Sequence, residues 1–185
     1  MKRHDISTKA DKLSIEIRAP ETNDASQIWR LVQNSGVLDT NSAYLYLLLC
    51  RDFRDTCLVA CQNEAVVGFV SGYRMPRDPS VLFVWQIGVA GEVKRRGVAS
   101  ALLRELVSRC GQGELTAIEA TIASTNTASR LLFESLARSL DLPITDHPHD
   151  GFSVADFPCS EHESSEHEAE PRIRIGPFVR CSPGE

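Results

Sequence analysis

Residues 81–90 read Val-Leu-Phe-Val-Trp-Gln-Ile-Gly-Val-Ala, an apolar run rich in β-branched and aromatic side chains. A run of that length and kind is a central strand. It passes into a short charged turn that holds Lys94, Arg95, Arg96 and Gly97. A helix follows at once, because Val98, Ala101, Leu102, Leu106 and Cys110 keep a helical period. Gly111 and Gly113 end it. A hairpin feeding such a strand, and the strand feeding a helix, point to an α/β (α+β) architecture with a mixed sheet flanked by helices.

The remaining segments fit that frame. Ile15 and Ile17 alternate with polar residues in a first strand at 14–18, which Pro20 stops. Asn23 or Asp24 can cap a helix through Ile28, Leu31 and Val32 to Gly36, and Asn41 or Ser42 can cap a second through Tyr44–Leu49. Residues 56–61 and 65–73 form a hairpin around Asn63-Glu64. Residues 75–80 carry two prolines and read as a loop. A strand at 115–122 and a helix at 126–140 come next. Residues 143–150, again with two prolines, read as a loop, residues 152–157 as a strand, and residues 172–179 as the last strand. The expected organisation is one domain over 14–180, with tails at 1–13 and 181–185.

Composition narrows the function. A net charge of −5 argues against a nucleic-acid binder and suits a small cationic substrate. No run of 18 apolar residues is present, and the polar start has no apolar signal core, so no membrane partner is expected. Four of the six cysteines sit among apolar neighbours, the pattern of reduced thiols in a cytoplasmic protein.

The turn before the 97–110 helix is where chemistry is written. It combines backbone N–H groups, the Arg95 and Arg96 guanidiniums and the positive end of a helix, which together suit a pyrophosphate. Gly97 lets the backbone come close to such a ligand. The same strand, basic turn and helix also occur without any ligand.

Lys94-Arg95-Arg96-Gly97-Val98-Ala99 resembles the Gln/Arg-x-x-Gly-x-Gly/Ala motif of the GNAT family of N-acetyltransferases, with Lys94 in place of the usual first residue. The resemblance implies acetyl-CoA as co-substrate; no metal is expected. It implies that Ile87, Gly88 and Val89 hold the pantetheine arm by their backbone. Arg95, Arg96, Gly97, Val98, Ala99 and Ser100 would hold the pyrophosphate. Asn126 and Ser129, opening the 126–140 helix, would form a second cofactor motif. Many members carry on that helix a tyrosine that protonates the departing thiolate; the matching residue here is Phe133, which leaves that step to water or to another residue, with Ser129 a candidate.

Five blocks narrow the resemblance to the L-2,4-diaminobutyrate acetyltransferases of ectoine biosynthesis. They are residues 38–49, Gly68-Phe-Val-Ser-Gly-Tyr73, Leu82-Phe-Val-Trp-Gln86, Thr121-Ile followed by Asn126, and His167-Glu-Ala-Glu170 followed by Arg174-Ile-Gly176. That family acetylates the 4-amino group of L-2,4-diaminobutyrate and is usually a homodimer. By resemblance Asp39, Tyr44, Trp85, His167 and Glu170 line the diaminobutyrate pocket. Which group is the base does not follow from the sequence; the expected catalytic set is Glu170, directly or through water, with His167, and with Asp39 as anchor. Taken alone, Asp39 reads as a helix cap, Trp85 as strand packing and the Glu/His run at 159–170 as a solvated loop. Tyr44 and Tyr46 are two apart and cannot share a helix face. His162 and His167 are five apart, one too many for a helical zinc pair. Another amine acetyltransferase, or a binding module without turnover, stays open.

Overall fold

The computed structural model describes residues 14–111, 114–157 and 168–178. Seven strands form one mixed sheet: β1 (Glu16–Arg18), β2 (Cys57–Gln62), β3 (Ala65–Met75), β4 (Asp78–Val89), β5 (Ala117–Thr121), β6 (Ile144–Phe152) and β7 (Glu170–Ile175). Their order across the sheet is β1-β2-β3-β4-β5-β7-β6. Only β4 and β5 run parallel; the other neighbours are antiparallel. The helices are α1 (Ala25–Ser35), α2 (Ala43–Arg51), α3 (Val98–Arg109) and α4 (Thr127–Leu140).

Strand alternation decides which helix covers which face. Leu58 and Ala60 of β2, Leu82 and Val84 of β4, Ile118 and Ala120 of β5, and Ile173 and Ile175 of β7 pack in one core with Leu102, Leu103, Leu106 and Phe133 of α3 and α4. Cys57, Val59, Cys61 and Phe69 point the other way, into a second core with Ile28, Leu31 and Val32 of α1 and Tyr46 and Leu49 of α2. The sheet is therefore covered on both faces at β2–β4. The intervening residues of β5 and β7 are instead Glu119, Thr121, Arg172 and Arg174.

Glu119 is buried on that second face and accepts from Arg172 at 2.8 Å and from Arg174. At the opposite edge, Arg18 of β1 makes two hydrogen bonds to Asp24, at 2.7 and 2.9 Å. Asp24 is the residue before α1, but its carboxylate also accepts from the Glu21 N–H at 2.7 Å rather than capping the helix.

Three segments depart from the expectation. Residues 143–150 are not a loop: most of β6 lies there, paired with β7 from Ile144↔Ile175 to His147↔Arg172. Residues 152–157 are not a strand: only Phe152 belongs to β6, and Val154–Asp156 is a single 3-10 turn. Pro148 falls between the pairs His147↔Arg172 and Phe152↔Glu170, where the ladder is interrupted and no N–H is required. Gly151 is dictated by the same interruption, since a Cβ there would lie 2.0 Å from the Glu170 carbonyl oxygen. The 75–80 loop is shorter than its prolines imply, because β3 reaches Met75 and pairs it with Asp78.

Candidate active site

The site begins where the sheet opens. β4 and β5 pair only at Val81↔Ala117, Leu82↔Ile118 and Phe83↔Glu119. Beyond Phe83, β4 stays bonded to β3 and β5 to β7, so the two parallel strands no longer bond across the gap between them. At the same level β4 carries a bulge, because Ser71 pairs with Gln86 but Gly72 with Val84. The extra residue is Trp85. A bulge re-aims its side chain, and Trp85 is 41% exposed while Val84 and Gln86 on either side are buried.

Two cavities flank this opening. One, about 470 Å³, is lined by Asp39, Tyr73, Phe83, Trp85, Thr121, Phe133, Phe152, Phe157 and Glu170, with Ile87, Asn126 and Ser129 at one end. The other, about 500 Å³, is lined by Val89, Lys94, Arg95, Gly97, Val98, Ala99, Ser100 and Leu131, again with Ile87 and Ser129. Ile87 and Ser129 line both, so the two cavities adjoin at these residues. A larger polar cleft, about 710 Å³, lies beside β1 and shares no lining residue with either.

The second cavity gathers cations and free backbone N–H groups. Within α3 the first turn closes with Ala101 N–H on the Gly97 carbonyl at 2.9 Å, so the N–H groups of Val98, Ala99 and Ser100 have no helical acceptor. Gly97 has φ +79 and Arg95 φ +61, a pair of left-handed residues that bends the chain into the helix. Nothing lies within 4 Å of the Cβ that Gly97 lacks, so its backbone is open to a ligand. Of the expected cations Arg95 lines the cavity, joined by Lys94, while Arg96 is exposed and does not. At Gly88 a Cβ would meet Phe69 at 2.7 Å and Leu38 at 3.0 Å, so the strand packs closely on the α1 side there.

The first cavity has the opposite charge. Glu170 opens β7 and its Oε2 accepts from Thr121 Oγ1 at 2.8 Å. Glu168, two residues earlier, accepts from Thr125 Oγ1 at 2.8 Å and from Ser124 at 3.3 Å, which ties the start of β7 to the loop before α4. Asp39 does not cap α2. Its carbonyl instead accepts from Gln86 Nε2 at 3.1 Å, while Gln86 Oε1 accepts from the buried Tyr46 hydroxyl at 3.3 Å. The buried Gln86 amide thus pins the segment before α2 against β4. Tyr44 is 64% exposed and lines neither cavity. His162 and His167 lie outside the described residues.

Asn126 Oδ1 accepts from the Ser129 N–H at 3.1 Å and caps α4, which places the Ser129 side chain at the junction of the cavities. Phe133, one turn on, is 3% exposed and brings no hydroxyl. Tyr73, Phe83, Thr121, Phe152 and Phe157 also line the first cavity. Tyr73 and Thr121 lie inside sequence blocks already singled out, whereas the two late phenylalanines carried no signal of their own. Their rings sit 6.4 Å apart at 69°, an edge-on pair at the rim.

Residues 23–137 match the acetyltransferase (GNAT) family. The L-2,4-diaminobutyric acid acetyltransferase of Nocardia farcinica is 41% identical over 164 residues, covering 89% of this chain and 81% of the relative. The enzyme of the same description from Halalkalibacterium halodurans is 42% identical over 165 residues, covering 89% and 83%. Among solved structures, the diaminobutyrate acetyltransferase of Paenibacillus lautus, in complex with its substrate L-2,4-diaminobutyric acid and coenzyme A, superposes with a TM-score of 0.83 at 38% identity, covering 90% of this chain and 97% of the other.

Proposed function

The chain belongs to the acetyltransferase (GNAT) family, and from that premise we propose that it transfers the acetyl group of acetyl-CoA to the 4-amino group of L-2,4-diaminobutyrate. The products are CoA and N4-acetyl-L-2,4-diaminobutyrate, an ectoine precursor. One observation carries the reading: an anion-binding cavity and a carboxylate-lined cavity meet at Ile87 and Ser129. A thioester reaching from the first meets an amine held in the second.

In this reading Lys94, Arg95 and the first turn of α3 hold the pyrophosphate, and Ile87 and Val89 lie along the pantetheine arm. The acceptor arrives as an ammonium. An alkyl ammonium titrates near pH 10.4, so freeing its lone pair at neutral pH costs about 4–5 kcal/mol. Glu170, oriented by Thr121, takes that proton directly or through water. Asp39 anchors the other ammonium, and Trp85 offers a cation–π face. The amine nitrogen attacks the thioester carbon, the C–S bond breaks, and the thiolate takes a proton near Ser129. Tyr44, Arg96 and His167 enter the reading on family resemblance alone.

The same reading takes the protein as a cytoplasmic homodimer. Cys50, Cys57, Cys61 and Cys110 are free buried thiols, and Tyr44 and Leu47 present apolar surface on α2. No helix among the described residues is long and apolar enough to cross a membrane. Sedimentation measures the assembly.

The activity is tested with acetyl-CoA and a panel of diaminobutyrate, ornithine, lysine, spermidine and a peptide, following thiol release and product mass. Acetylation of diaminobutyrate is expected, and release only with a polyamine or the peptide would sink the reading. In the pH–rate profile, Glu170→Gln is expected to lose about a hundredfold in kcat. Normal turnover would remove Glu170 from its role as base.

A further inference from the structure

The acceptor cavity is lopsided for an amino acid. Asp39 and Glu170 line it, and no lysine or arginine does among the described residues. The cations that lie nearest Glu170 in sequence, Arg172 and Arg174, are turned to Glu119, with Arg172 at 2.8 Å. The rest of the wall is aromatic, aliphatic or neutral polar, and Tyr73, Phe83 and Trp85 give it faces that favour cations. An ammonium entering this space meets two carboxylates and π-systems. A carboxylate entering it meets two like charges and, among the described lining residues, no lysine or arginine, so it is better placed outside, in water.

We propose that the site recognises its acceptor as a diamine rather than as an amino acid, and so also acetylates short α,ω-diamines that lack a carboxylate. This rests on the diaminobutyrate reading above and adds to it which groups of the acceptor carry recognition. Removing the carboxylate from 2,4-diaminobutyrate leaves 1,3-diaminopropane. Removing the 2-amino group leaves 4-aminobutyrate. The reaction is the same in each case. The free amine nitrogen forms a bond to the acetyl carbon, the carbon–sulfur bond breaks with its electrons on sulfur, one amine proton goes to the base and the thiolate is protonated. With 1,3-diaminopropane the products are N-acetyl-1,3-diaminopropane, its second amine still an ammonium, and CoA.

The test measures kcat/KM for the three acceptors with the full chain at one neutral pH and saturating acetyl-CoA, with product masses. Loss of the carboxylate is expected to change kcat/KM by about threefold or less, and loss of the 2-ammonium to lower it about a hundredfold. A preference for 1,3-diaminopropane over 4-aminobutyrate of more than about tenfold upholds the inference. A smaller preference, or the reverse order, overturns it while diaminobutyrate is still acetylated. Failure to acetylate diaminobutyrate at all instead overturns the function proposed above, so the two failures are told apart.

Discussion

Thr121 is a small residue with a large expected effect. Its hydroxyl is the partner within hydrogen-bond reach of Glu170 Oε2, at 2.8 Å. A hydrogen bond to a charged group is worth about 1.5–3 kcal/mol. Thr121→Val keeps the shape of β5 and removes that bond, so kcat/KM for diaminobutyrate is expected to fall by about tenfold or more. Thr121→Ser keeps the hydroxyl and should restore most of it. Equal losses in both variants would make Thr121 a packing residue only, and steady-state kinetics on the pair decides. Single residues were unevenly legible in the sequence. Gly97 could be assigned from its motif, because a left-handed residue before a helix leaves a chemical signature. Trp85 could not be read as exposed, because its direction depends on a register shift between β3 and β4 that neither strand shows alone. Asp39 read as a helix cap until the Gln86 amide was seen to hold its carbonyl.

At the scale of elements, β1 and α1 are joined by a buried charge. Burial pushes the Asp24 carboxyl up, but the two bonds from Arg18 and the one from the Glu21 N–H overcome it and hold it below the usual carboxylate range. A carboxyl depressed on folding contributes stability above its unfolded value, near pH 3.9, and that contribution is lost as pH falls through the lower folded value. Asp24→Asn is therefore expected to cost about 2–3 kcal/mol at pH 7, discounted because Arg18 is partly exposed, and to flatten the acid limb of stability. Denaturant melts at pH 7 and pH 3 check this; an unchanged acid limb would assign the loss elsewhere. The helices and central strands were legible because their apolar period is strong. β6 was not, for its residues are mostly exposed and it holds its place through backbone bonds to β7. An edge strand without an alternating apolar face, broken by Pro148, looks like a loop until its partner is known.

For the whole molecule, a ligand that binds only the folded chain should be felt as global stability. Acetyl-CoA at about a hundred times its Kd is expected to add about 2.7 kcal/mol. For a chain of this size that is a rise of about 5–10 °C in Tm by thermal melt. Gly97→Val, which forces a branched side chain into φ +79, should blunt the rise more than it lowers the unliganded Tm. A full rise in that variant would move the anion site away from α3. The parting of β4 from β5 has one more consequence. An unpaired strand edge on the rim of a sheet invites other chains to join it. Here the unpaired edges face each other in mid-sheet, each on a strand that stays paired on its other side. Such edges lie inside the strand order and not on the rim, where sheets join one another.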